Sequence, residues 1–200
     1  MEKTIFISGS AEHYGAWSKK EALSFIHLLS KSIILADFKI VNGFGWGVGS
    51  AVFNGALEAI YERPGKYSKK QLLVRPFPQI KTGNKELPKL WAAHRQNMIS
   101  LAGIAIFVFG NKMKDGKLEI ADGVDKEFRM AISQGLIPIP IGATGYVTKN
   151  ISDEILETPK NFYSGMEWII PIIEELADPT LQMEEMIKKV MSIIKMINNG

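Results

Sequence analysis

The 200-residue chain contains no cysteine. That absence removes disulfides, thiolate zinc sites, iron–sulfur clusters and cysteine nucleophiles together, and it fits a reducing compartment. A chain of this length buries enough surface to need no such staple. Histidine is scarce, and His13, His27 and His94 have no metal-ligand spacing, which argues against zinc. Asp115, Glu119, Asp122 and Asp125 do not match a calcium loop and bring no histidine. Ser8 and Ser10 lack the G-x-S-x-G pattern of a nucleophile elbow. No apolar run approaches the ~20 residues that span a bilayer, and Met1-Glu2-Lys3 leads straight into Thr4-Ile5-Phe6-Ile7 without a leader pattern. The expectation is a cytoplasmic protein with no membrane partner. A formal net charge of +3 is too small to argue for nucleic acid, and no recognition module accompanies it.

What is present is an alternation of short apolar runs with helical patterns, and it predicts a Rossmann-like, three-layer α/β domain with a mostly parallel central sheet. Thr4–Ile7 predicts a buried strand ended by Ser8-Gly9-Ser10. Ser18, with Glu21 three residues on, has capping-box spacing, and Leu23, Ile26, Leu29 and Ile33 continue at helical intervals to about residue 35. Further strands are expected at Phe38–Val41, at Leu72–Val74 and at Ile104–Phe109, whose six apolar residues imply burial on both faces. Leu136–Ile141 is expected to be a last strand, whose Pro138 and Pro140 point to an edge position or an early end. Helices are expected from near Val48, from Pro88 to Leu101, from Gly123 to Ser133 and over Met166–Leu176, with a short one at most between Asn150 and Pro159. Residues 180–197 form an amphipathic pattern, expected to pack on a single domain of residues 1–200.

Glycine is where function suggests itself. Residues 43, 45, 47 and 49 are glycine, set between a strand and a helix. Such a segment permits positive φ and close backbone approach, and it suits a phosphate cradle at a helix N-terminus. Its spacing is neither the dinucleotide fingerprint G-x-G-x-x-G nor a Walker loop. A tight turn without a ligand is the plainer alternative. Arg95 offers a guanidinium fork suited to two phosphate oxygens, or else a surface salt bridge. Lys112 follows the strand at 104–109, where lysine is usually solvated. Glu127 lies in the helix after Asp122-Gly123; a carboxylate there accepts ribose hydroxyls or serves as a general acid–base group, and the plainer role expected of Asp122 is to cap that helix. Between Arg63 and Arg95 stand nine Lys or Arg residues against one acid, Glu86, either a solvated basic loop or a positive lip over an anion.

Four segments, TIFISGSAEHYG, IVNGFGWGVGSAVFNGAL, HRQNMISLAGIAIFVFGNK and GVDKEF, taken in this order, resemble the SLOG domain group. These are Rossmann-like relatives of the LOG phosphoribohydrolases, and the likeness is to the sensor domains of Thoeris antiphage effectors over about residues 3–197. The resemblance implies a domain that binds a cyclic ADP-ribose isomer made by a partner TIR-domain protein and thereby activates an N-terminal sirtuin-like NAD hydrolase domain in a homo-oligomer. It implies no further cofactor and no catalysis by this segment. It assigns ligand binding to Arg95, to Lys112 near the pyrophosphate, to Glu127 at a ribose, to Ser8, Gly9 and Ser10 at the first strand end, and to Gly45 and Gly47 in the glycine-rich loop. LOG enzymes carry P-G-G-x-G-T-x-x-E, whereas this chain has Gly110-Asn111-Lys112 and keeps only Gly123-Val124-Asp125-Lys126-Glu127. That departure favours a sensor over the alternative, a nucleoside-monophosphate phosphoribohydrolase acting through Arg95 and Glu127. It also implies a domain excised from a longer protein.

Overall fold

The computed structural model describes residues 3–81, 83 and 86–199. Its centre is a five-stranded sheet in the order β3-β2-β1-β4-β7, every neighbouring pair parallel. The strands are β1 (Thr4–Ser10), β2 (Lys39–Asn42), β3 (Leu72–Val74), β4 (Ile104–Phe109) and β7 (Ile137–Pro140). All six residues of β4 and the first six of β1 are buried. Their continuous apolar runs follow from a place in mid-sheet, where both faces are covered. β7 lies at an edge, where its prolines leave no ladder bond unmade.

Helices α1 (Lys19–Leu35) and α2 (Gly49–Glu62) pack on each other in one layer, while α3 (Leu87–Ile99), α4 (Asp122–Ser133) and α5 (Tyr146–Glu157) form contacts in the other. The result is a three-layer α/β domain with a parallel central sheet. α1 starts at the capping box read from the sequence: the Glu21 amide donates to Ser18 Oγ and the Ser18 amide donates to Glu21 Oε2. α6 (Lys160–Tyr163), α7 (Ile170–Leu176) and α8 (Met183–Asn199) complete the chain. α8 buries Met186, Val190, Ile193 and Ile194 and packs on α1 and α7. No helix among the described residues is long and apolar enough to cross a membrane.

Three local expectations change. β1 does not stop at Ile7; it runs through Ser10, because Phe107, Val108 and Phe109 of β4 supply ladder partners to Ser8, Gly9 and Ser10. The helix expected to be short spans twelve residues, since Val147, Ile151 and Ile155 recur at intervals of four and are buried. After β4 the chain forms a hairpin of β5 (Asn111–Lys114) and β6 (Lys117–Ile120). Its Asp115-Gly116 turn has positive φ at both residues, the conformation a two-residue hairpin loop requires.

Candidate functional site

The strand order reverses between β1 and β4: the chain steps outward from β1 through β2 and β3, then returns to the other side of β1. Open parallel sheets bind ligands outside the strand C-termini at such a reversal. There the ends of β1 and β2, the N-terminus of α4 and one face of α3 enclose a cavity of about 150 Å³. Ser8, Gly9, Ser10, Gly45, Arg95 and Glu127 all line it.

Its polar centre is a three-residue cluster. Glu127, on the second turn of α4, is only 8% exposed. Ser8 Oγ donates to Glu127 Oε2 at 2.5 Å, and Arg95 Nε donates to Oε1 at 3.4 Å. Burial pushes the Glu127 carboxyl above its ordinary range; the Ser8 hydroxyl and the Arg95 guanidinium pull the other way without cancelling it. Arg95 is positioned by its surroundings: its guanidinium lies over the Phe77 ring, 4.7 Å from the centroid. Phe77 is held in turn by an edge contact with His94, and the loop bearing it is clamped to α3 by Trp91 Nε1 donating to the Pro78 carbonyl at 2.7 Å. His94 Nε2 lies 2.9 Å from the Arg75 carbonyl oxygen.

Gly45 and Gly47 have a backbone reason to be glycine. A Cβ at Gly45 would fall 2.1 Å from the Gly9 carbonyl oxygen. One at Gly47, where φ is +68°, would fall 1.8 Å from that of Ala11. The glycine loop thus packs main chain to main chain on residues 9–11, and the Ala11 amide donates to the Trp46 carbonyl at 2.8 Å. A second, larger cavity of about 630 Å³ adjoins the first, with Gly45 in the wall of both.

Lys112 stands apart. It is carried by β5, lines neither of these two cavities, and pairs with Asp122, the first residue of α4. Asp122 does not cap α4; Lys112 and Lys126 hold its carboxylate well below the usual range. Among the described residues no group of three or more His, Asp or Glu side chains is placed to hold a metal ion.

Two asparagines organise the rim. Asn42 Nδ2 donates to the Ile7 carbonyl at 2.7 Å, and its Oδ1 accepts from the Phe44 amide at 2.7 Å. Asn111, 1% exposed, accepts from the Glu12 and His13 amides and donates to the His13 carbonyl. Each lies at or just beyond the end of a central strand. Asn42-Gly43 is turn chemistry that marks the first in the sequence; nothing comparable marks the second.

This arrangement, a three-layer α/β fold with a buried Arg95–Glu127 pair at the topological reversal of its parallel sheet, defines a Rossmann-like domain. Comparison with known proteins gives it a family. The model of the Sir2- and TIR-associating SLOG family, STALD, matches residues 1–197, and the chain belongs to that family. It is 39% identical over 198 residues to the NAD(+) hydrolase ThsA of Bacillus cereus (strain MSX-D12), covering 98% of this chain and 41% of that protein. It is 40% identical over 198 residues to ThsA of Cytobacillus dafuensis, with 98% and 40% covered. The chain thus spans about two fifths of the length of the curated relatives it matches. The X-ray structure of TM1055, a structural-genomics target, superposes with a TM-score of 0.54 at 18% identity over 76% of this chain and 81% of that one; that likeness concerns the fold alone.

Proposed function

We propose that this chain is the ligand-sensing domain of a ThsA-type NAD(+) hydrolase and that its ligand is a cyclic ADP-ribose isomer. Arg95 clamps the diphosphate with help from the amides at the start of α4, and Glu127 orients a ribose hydroxyl. Lys112, released from Asp122, joins the clamp when the anion arrives. The domain itself performs no catalysis. It acts in the cytoplasm, within a homo-oligomer, on a sirtuin-like NAD-hydrolysing domain N-terminal to it, as part of an antiphage response. Any change in subunit packing then requires the ligand to bind two states unequally.

The observation that supports this reading is the Ser8–Glu127–Arg95 cluster in a cavity at the sheet reversal. Besides pairing with Glu127, a cation held at the rim by Phe77 is placed to meet an anionic ligand. Calorimetric titration with cyclic ADP-ribose isomers, linear ADP-ribose and NAD tests it. Arg95→Ala is expected to weaken binding at least ~30-fold, the equivalent of about 2 kcal/mol, the low end for breaking a buried charged contact. Unchanged binding in that variant would refute the assigned site. Release of free base from AMP, followed by chromatography, would instead establish the phosphoribohydrolase alternative.

A further inference from the structure

The small cavity around Arg95 and Glu127 holds about 150 Å³, whereas sites that enclose a ligand of nucleotide size run to roughly 300–1,000 Å³. It has room for a phosphate and part of a sugar, so the remainder of such a ligand must extend elsewhere. The neighbouring cavity of about 630 Å³ shares Gly45 with it. Its walls are aromatic, with Phe44, Trp46 and Tyr14, and Lys19 and Glu12 bring hydrogen-bond donors and an acceptor to them.

Trp46 is 74% exposed and Phe44 45% exposed, yet the backbone beneath them is fastened at several points. The Trp46 carbonyl accepts from the Ala11 amide, and the Gly47 carbonyl accepts from Tyr14 Oη at 2.9 Å. The Phe44 amide is held by Asn42 Oδ1, and Phe44 itself has φ 58°, a left-handed conformation that a bulky residue adopts only at a cost. Its ring is braced edge-on by Phe53, centroid to centroid 6.5 Å. A rigid main chain that presents an indole to open space is a stacking platform in search of a planar partner.

We propose that this larger cavity is a nucleobase subsite: the base of the nucleotide stacks on the Trp46 indole, with Phe44 beside it, while the phosphate end crosses Gly45 to reach Arg95. This rests on the nucleotide-sensing reading above. A heteroaromatic base supplies both the flat face the indole needs and edges that both donate and accept hydrogen bonds, which Glu12 and Lys19 complement.

The test titrates ADP-ribose and the baseless ribose 5-phosphate into the wild-type protein, Trp46→Ala, Trp46→Phe and Arg95→Ala, with melting temperatures measured alongside. Trp46→Ala is expected to melt like the wild type, because its side chain is mostly exposed. It should bind ADP-ribose about 10- to 100-fold more weakly, as expected for the loss of one stacked base, with ribose 5-phosphate affinity unchanged. Trp46→Phe should recover most of that loss, and Arg95→Ala should weaken both ligands. Equal losses for both ligands in Trp46→Ala would mean that the loop, not stacking, was disturbed, and would overturn the subsite. Full ADP-ribose affinity in Trp46→Ala with loss in Arg95→Ala would overturn the subsite alone. Where a cyclic ADP-ribose isomer binds the wild type and linear ADP-ribose does not, the same comparison is made with that isomer, and failure of the wild type to bind either would take the nucleotide reading with it.

Discussion

Glu127 is the residue whose replacement says most about how this site is built. The carboxylate and Arg95 Nε stand 3.4 Å apart, and at an effective dielectric constant of ~20 the gross attraction is about 5 kcal/mol. Taking two ions out of water costs several kcal/mol each, so the pair gains little net stability, and the raised pKa of Glu127 says that burial outweighs the partners. The sign of the pH dependence follows. Below the ordinary pKa of 4.5 Glu127 is protonated whether the chain is folded or not. Above it the unfolded chain releases the proton while the folded chain keeps it. Stability therefore falls by about 1.4 kcal/mol per pH unit until the folded carboxyl also ionises. Glu127→Gln removes that loss. The amide can place its oxygen toward Arg95 and donate to Ser8 Oγ, so both neighbours stay partnered. In urea denaturation from pH 4 to pH 8 with a common m-value, the variant should gain on the wild type as pH rises, while its nucleotide affinity drops. A wild type that instead gains on Glu127→Gln over this range would mean that Arg95 holds the carboxylate ionised, and would refute the account of the cluster.

Two further substitutions probe the frame of the site. Gly47→Ala combines a left-handed φ with a Cβ 1.8 Å from the Ala11 carbonyl oxygen, so the loop must shift. It should cost about 1–3 kcal/mol from the backbone strain alone and should weaken nucleotide binding, read by thermal melting and calorimetry; wild-type values for both would contradict the backbone packing described. Tyr163→Phe removes a fully buried hydroxyl that donates to the Pro138 carbonyl at 2.7 Å on edge strand β7. About 1–3 kcal/mol of stability should go, because the buried acceptor loses its partner. Nucleotide affinity should not change, as neither residue lines either of the two cavities described.

Most of the fold was legible because the features that specify it are local or periodic. The apolar run Ile104–Phe109 could only be a strand covered on both faces, Ser18 and Glu21 announced the start of α1, and two prolines put β7 at an edge. The misjudged stretches had weaker local marks. Where β1 ends depends on how far β4 runs beside it, a pairing about a hundred residues distant in the chain. The hairpin was marked by Asp115-Gly116, and Met113, Leu118 and Ile120 alternate with Lys112, Lys114, Lys117 and Glu119 around it, but each strand has only four residues and those apolar side chains stay exposed, so the pattern reports no buried face.

The site is a different matter, because its residues mean opposite things at different depths. Arg95 was open to a phosphate contact or a surface salt bridge, and the structure contains an ion pair, but one whose two side chains are only 14% and 10% exposed. At the surface such a pair is worth little. Here the carboxylate is held at the cost of its own protonation equilibrium, beside a cavity. Gly45 and Gly47 suggested a phosphate cradle; their first duty is to let the loop lie on the backbone of residues 9–11. These two facts belong together. The close packing that demands glycine also holds the loop against the end of β1, brings Gly45 to the wall of the Arg95 cavity, and leaves Trp46 standing free beside it. Spacing alone records that glycine is required but not what lies against it, so the same four glycines serve a turn, a cradle or a partition between two subsites. The distances place Gly45 in the wall that the two cavities share and Trp46 in the larger of them, the arrangement on which the proposed base subsite rests.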